Sequence, residues 1–343
     1  MKKRIKSLVH KVRNSQAFGP YLMLFILTVF NIALQGRNFA NVSSINSLFL
    51  VNTPLILATI AQAVIIFSGG VDLSIGATLS VVNASAIALG TFFPVPLAWA
   101  CAFLAAVLIG VVKGSIVAYL RVPAILVTFA LSFVLEGVAL LILPQPGGTI
   151  PSSIYSVYGG VFASVIPISA LVIICVLIFW GILNKRPIGA QMKAAGSNPR
   201  SLYIAGVNVQ RTKMTAYIAA GVITGIAGLC LTILASSGDP KIGNEVSLNT
   251  IAASILGGVN LSGGWGTVGG AASGALFLGV LNNLIFYIFN NVIKSSTIAG
   301  IKLSYLQQLL TNLIIILGLC SSLLAYVKKN NKRKEQKNDH ENK

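Results

Sequence analysis

Long apolar runs alternate with short polar stretches along nearly the whole chain. A bilayer core takes about 20 apolar residues per helix, with a range of roughly 17–25. About ten runs approach or meet that length. They predict helices over 18–34, 52–67, 73–89, 97–120, 124–143, 164–183, 214–235, 247–256, 267–289 and 304–327. The eighth is short, about 15 Å at 1.5 Å per residue. Basic residues precede the first run, but no small-x-small cleavage site closes it, so it reads as a span. The predicted fold is an all-α polytopic membrane protein, with a transmembrane domain over 18–327.

Composition agrees. Of the 343 residues, 55% are hydrophobic and 9% charged, against about 25% charged in a soluble domain. The mean hydropathy is +0.84. These values exclude an ordinary globular enzyme, and they exclude disorder, which needs low hydrophobicity. The 33 glycines suit packed membrane helices. Cysteines at 101, 175, 230 and 320 all sit in apolar runs without CxxC or CxxH spacing, and there are only two histidines. They are expected to be small buried hydrophobes rather than metal ligands or disulfides.

Charge adds orientation. The net charge is +18, and 19 of the 25 basic residues fall in three places: 1–13, 184–213 and 328–343. Ten spans would put both termini and the loop after the sixth span on one side, and the basic bias assigns that side to the cytoplasm. A basic N-terminus (1–17) and a solvated basic tail (328–343) would flank a multi-pass plasma-membrane domain. No basic stretch is interleaved with aromatics, so nucleic acid is not an expected partner.

One hexapeptide recurs. Residues 69–74 read GGVDLS and residues 257–262 read GGVNLS. A weaker echo follows each copy, IGVVKG at 109–114 and LGVLNN at 278–283. Two related five-helix halves, lying in opposite senses, are implied. Gly69 and Gly70, or Gly257 and Gly258, would end a helix. Asp72 or Asn260 would then N-cap the next helix, with Ser74 or Ser262 adding a bond. Each copy thus reads as a break between helices. It either borders a translocation path or forms a tight interfacial turn. The Asp/Asn exchange favours capping over charge chemistry. The short run before the second break places that break within the membrane layer, and the first nearer the cytoplasmic face.

Other polar residues interrupt apolar runs. Glu136 lies in the fifth, where an unpaired carboxylate costs about 3 kcal/mol. It could sense a proton or face a polar path, pair with a base such as Lys113, or sit in a hydrated subunit interface. Gln62, Asn83, Asn249, Asn282 and Asn283 could bond a hydroxyl-rich solute or join helices. Asn249 is counted with the path candidates. Pro144, Pro146, Gly147, Gly148 and Pro151 predict an irregular external loop.

Loop 184–213 contains a start and a stop signal. Asn198 can N-cap, Pro199 suits the first turn and Gly206 suits the position after the C-cap. A two-turn helix over 199–205 would carry Arg200, Ser201, Leu202, Tyr203, Ile204 and Ala205. It reads as a docking knob for a soluble partner, or as an amphipathic turn on headgroups. The chain has no GxxxxGK[ST] loop, so any ATP would be hydrolysed by another subunit and no cofactor is expected here.

These residues carry a resemblance. Gly69 to Gly76 match the GG-[IV]-D-[LI]-S-x-G signature of the permease subunit of sugar-type ABC importers, the ribose, xylose and galactose group, whose relatives import autoinducer-2 or nucleosides. The cytoplasmic signature matches Ala195-Gly196-Ser197-Asn198 through Gly206-Val207-Asn208-Val209. The second-half signature, IAA, GG, LSGG and GT, matches Ile251 to Thr267. Lys113-Gly114 stands where the family usually has Asn-Gly, and Glu136-Gly137 where Arg-Gly is common. The resemblance implies a ten-helix permease working as a pair with an identical or homologous chain. It also implies a cytoplasmic ATP-binding subunit with tandem nucleotide domains, an extracytoplasmic solute-binding protein and a pentose, hexose or similar small polar solute. Asn198, Pro199, Arg200, Ser201, Ala205 and Gly206 would couple to the ATPase. Two rivals stand beside it. An ion-coupled secondary transporter suits the inverted repeat but not the lack of acid or base chains. A membrane scaffold would gain nothing from helix breaks.

Overall fold

The computed structural model describes residues 18–293 and isolated residues between 297 and 316. The basic ends 1–17 and 328–343, Cys320 and most of the tenth predicted run lie outside the described residues. The chain divides into two compact units, Met1–Val280 and Leu281–Lys343.

In the first unit α1 covers Phe18–Gln35, α2 Val42–Phe67, α3 Ile75–Gly90, α4 Val95–Tyr119, α5 Ala124–Ile142 and α6 Ser152–Tyr158. Then come α7 (Ile168–Lys185), α8 (Pro187–Ser197), α9 (Pro199–Ile204), α10 (Val209–Ala235), α11 (Val246–Leu256) and α12 (Val268–Tyr287), whose end enters the second unit. Seven helices are long and apolar enough to cross a membrane: α1, α2, α4, α5, α7, α10 and α12, with α1 and α12 continued to Asn38 and Asn291. Apolar α3 and α11 are shorter, with 16 and 11 residues, about 24 and 16 Å. In the second unit the described part includes a π-helical turn, Ile288–Ile293, and a small hairpin, Thr297–Ile298 with Ile301–Lys302.

Sequence dictates which helices are central. From Ile56 to Phe67 and from Ile75 to Ile87 every residue is buried. A helix that is buried all round has no polar face to show, and α2 and α3 form the centre of the unit. Helix α10 packs along α2, α3 and α4, while α11 packs on α2. Glycine permits close helix contact: a Cβ on Gly110 of α4 would come 2.7 Å from the Tyr217 carbonyl oxygen of α10. The outer faces of α1, α4 and α5 expose Phe25, Leu104, Leu108, Phe133 and Leu141, as suits acyl-chain solvent.

Several boundaries and details differ from expectation. Helix α2 begins ten residues before its apolar run, because Asn41 caps it by accepting from the Ser44 N–H (2.7 Å). The sixth span begins at Ile168, not 164, since Ala163 and Ser164 take left-handed φ values of 50° and 60° and turn a hairpin between Val161–Phe162 and Ile166–Pro167. The loop expected to be external is tied down by paired backbone bonds between Gly147 and Gly238, 2.9 Å each way. Of the described cysteines, Cys230 is buried and Cys101 and Cys175 are exposed. A small hydrophobe on a lipid-facing surface need not be buried.

Candidate functional site

Helix α2 stops at Gly69. Gly69 takes φ +84°, its N–H donates to the Ile66 carbonyl (2.9 Å), and the Gly70 N–H donates to Ile65 (3.2 Å). This pair of bonds is a Schellman turn, which satisfies the last carbonyls of the helix. The second copy makes the same turn one residue later. There Gly258 takes φ +77° and donates to Ile255 (2.8 Å), while Val259 donates to Ser254 (3.0 Å).

Past the first turn, residues 71–73 have no helical bonds, and side chains satisfy their backbone. The Gln62 carboxamide grips Asp72: its nitrogen donates to the Asp72 carbonyl (2.9 Å) and its oxygen accepts from the Asp72 N–H (3.2 Å). The Thr128 hydroxyl accepts from the Leu73 N–H (3.1 Å) and donates to the Val71 carbonyl (3.2 Å). Buried backbone outside helices is sustained by partners of this kind.

Asp72 departs from its predicted role. Its Oδ1 accepts from the Ser74 N–H (2.8 Å) and hydroxyl (2.7 Å), an Asx turn. The N-cap position of α3 is Ser74, without a side-chain cap bond. Asn260 Oδ1 likewise accepts from the Ser262 N–H (3.0 Å), but no helix follows until Val268. The second copy is therefore a helix end and a loop rather than a helix–helix joint, because Gly263, Gly264 and Gly266 all take positive φ.

Asp72 is also not a neutral-type cap. Its Oδ2 lies 2.6 Å from Lys113 Nζ, with side-chain exposures of 0% and 3%. The suggested pairing of Lys113 with Glu136 is corrected accordingly. Glu136 is half-buried and has no partner among the described residues. Asn83 is fully engaged: it donates to Thr232 and Ser237 and accepts from the Asp239 N–H. Asn249 is half-buried in the first turn of α11.

The loop between α7 and α10 contains one unforeseen element, α8, with Met192 and Ala195 buried on one face. Its penultimate residue, Gly196, meets both breaks. A Cβ on Gly196 would collide with the Phe67 carbonyl oxygen and stand 2.9 Å from the Gly69 nitrogen and 2.8 Å from the Gly264 nitrogen. The Gly264 N–H donates to the Phe67 carbonyl (3.2 Å). Lys193 on α8 donates to the Gly266 carbonyl (2.9 Å) and lies 5.2 Å from the Phe67 ring centroid. Partial burial lowers the Lys193 pKa from the usual lysine range.

The predicted short helix is present. Asn198 Oδ1 accepts from the Ser201 N–H (3.0 Å), and α9 runs from Pro199 to Ile204 with Ala205 as C-cap, one residue shorter than expected. Gly206 at φ +79° closes it, with bonds to Tyr203 (2.9 Å) and from Val207 to Leu202 (3.2 Å). Leu202 anchors α9 at 7% exposure, while Tyr203 and Ile204 project at 73% and 76%. Pro199, Arg200, Ser201 and Ala205 are exposed.

Sequence reasoning missed the ion pair and Gly196. The signal for the first was a lone acid and a lone base in neighbouring apolar segments, which pair inside membranes.

Comparison with known proteins identifies the family. Residues 44–319 match the family described as branched-chain amino acid transport system / permease component. The ribose import permease protein RbsC of Haemophilus influenzae is 27% identical over 318 residues, 90% of this chain and 94% of that protein. The ribose import permease protein RbsC of Bacillus subtilis is 32% identical over 279 residues, 78% of this chain and 84% of that protein. The fructose import permease protein FrcC of Rhizobium meliloti is 28% identical over 296 residues, 81% and 80% of the two chains. No solved structure matches. The family match spans the breaks, α9 and the glycine contacts alike, and the chain belongs to that family of membrane permeases, among the sugar-type ABC importers.

Proposed function

We propose that the chain imports a pentose, hexose or related small polar solute by alternating access, powered by ATP hydrolysis in a cytoplasmic partner. The observation that carries this reading is the meeting of three segments at Gly196. The end of α8, which leads into α9 through Asn198, touches the ends of both helix breaks there, so a push on α9 reaches them through α8. The exposed Tyr203 and Ile204 suit insertion into a partner's groove. The relatives named for ribose and fructose import support the solute class.

In this reading ten helices form two five-helix halves over 18–327, and the matching Schellman and Asx turns of the two breaks support the repeat. Both termini and 184–213 face the cytoplasm. An extracytoplasmic binding protein delivers the solute. Gly69, Gly70, Asp72, Ser74, Asn249, Gly257, Gly258, Asn260 and Ser262 border the path or shape its breaks. A second permease chain completes the transporter. Glu136 supports the pairing, because a half-buried carboxylate among exposed apolar side chains is costly against lipid.

Crosslinking tests the coupling. Cysteines at Ser201 or Ala205 should crosslink to the ATPase, and Gly206→Asp should leave the protein inserted but uncouple hydrolysis from uptake. Transport by the purified permease alone, down an ion gradient, would overturn the reading.

A further inference from the structure

A cleft of about 640 Å³ lies against the turn that ends α2. Its walls come from Gly69 and Gly70, the end of α4, the starts of α5 and α10, and α9. Three cations line it, Arg121, Arg200 and Lys213, and no carboxylate does. None of the three has an ion-pair or hydrogen-bond partner among the described residues. Two long helices start at the cleft and two end there, so their dipoles largely cancel and the field comes from the side chains. Asp72, buried nearby, is neutralised by Lys113.

Two strained features meet at this cleft. Tyr217 lines it, is 1% exposed, and its hydroxyl has no hydrogen-bond partner. That hydroxyl lies beside Gly70, where a Cβ would stand 2.8 Å away. A buried hydroxyl without a partner is destabilising. Arg121, the residue after the C-cap of α4, takes a left-handed φ of 58°, where glycine is unstrained.

We propose that this cleft binds a phosphate group, with Arg121 and Lys213 neutralising its charge and the Tyr217 hydroxyl donating a hydrogen bond. The volume suits a small molecule. The cleft shares its wall with α9. On the cytoplasmic assignment made above, on which this step rests, the free ligand is a phosphate ester of a small hydroxylated compound, made by a phosphotransfer reaction after uptake. A bound ester wedges the first break against α9 and slows import. An anionic lipid headgroup offers the same chemistry and is the second source to test.

The test is titration calorimetry on the permease in phosphatidylcholine nanodiscs, with ribose 5-phosphate, inorganic phosphate and neutral ribose as probes. The two phosphates should bind and ribose should not compete. Arg121→Gln and Lys213→Gln should each weaken binding about tenfold or more, the loss expected for a charge-assisted bond. Tyr217→Phe should weaken it severalfold while raising the melting temperature of the empty protein; a hydroxyl that does not touch the ligand would raise the melting temperature and leave binding unchanged. Co-purified anionic lipid retained by the wild type and lost by Arg121→Gln, with no binding of soluble phosphate, would support the site and assign it to a headgroup. Phosphate binding that is unchanged in both charge variants, or absent along with lipid retention, overturns the proposal. In proteoliposomes of the assembled transporter, ribose 5-phosphate on the α9 side should slow uptake. Inhibition from the opposite side alone would support the site and refute the cytoplasmic assignment instead.

Discussion

Replacing Asp72 by Asn separates charge from shape. Asn260 in the second copy shows that an amide oxygen supports the same turn, accepting from Ser262 at 3.0 Å. Asp72→Asn should therefore keep both bonds from Ser74. It nonetheless strands the Lys113 ammonium, which is 3% exposed and 2.6 Å from the carboxylate it would lose. Breaking a buried pair from one side costs about 3–5 kcal/mol. Asp72→Leu adds the loss of two hydrogen bonds, about 2 kcal/mol more. The double variant Asp72→Asn/Lys113→Asn removes both charges and should recover to within about 1 kcal/mol of the wild type, since replacing a whole buried pair is often neutral. Thermal unfolding of the four proteins in one detergent, with uptake measured in vesicles, gives the order. Wild type and double variant should be the most stable, Asp72→Asn lower and Asp72→Leu lowest. If Asp72→Asn alone matched the wild type, the ion pair would contribute nothing and capping would be the whole role of Asp72. Should the double variant fall below Asp72→Asn, Lys113 would hold the segment by some other contact.

Gly196→Ala should prevent stable assembly, because its Cβ meets backbone that cannot yield, on Phe67, Gly69 and Gly264. Gly206→Ala meets nothing within 4 Å and should cost only its left-handed φ, about 1–2 kcal/mol by thermal shift. Cysteine probes at 5, 198 and 335 should resist a membrane-impermeant label applied from outside; labelling at 198 would refute the proposed orientation.

Local signals in the sequence were reliable where one residue type does one physical job. The glycines at 69 and 206 stop helices, and Asn198 starts one, as their chemistry requires. Apolar runs located the described membrane helices, but polar first turns such as Ser43, Ser44 and Asn46 hid the true start of α2. Tertiary partners were not legible. Lys113 lies 41 residues from Asp72, and nothing local says that α4 brings it there. Helix α8 reads as loop because proline and two glycines interrupt it, and only the spacing of Met192 and Ala195 hints at a buried face. The repeat itself misled: identical glycines in the two copies place the left-handed residue one position apart.

The contact of Gly69, Gly196, Gly263 and Gly264 has a mechanical consequence. Side chains between two moving elements act as springs, since rotamers can change while the backbones stay put. Here Cα meets backbone with nothing between, and a Cβ on Gly263 would already stand 2.9 Å from the Gly69 Cα. Such a joint has almost no slack: a shift of the α8–α9 segment by a fraction of an ångström must be passed on, because close-packed atoms resist compression. Stiffness at this point lets a short surface helix act as a lever on two breaks at once, and a single methyl group there would change the length of its arm.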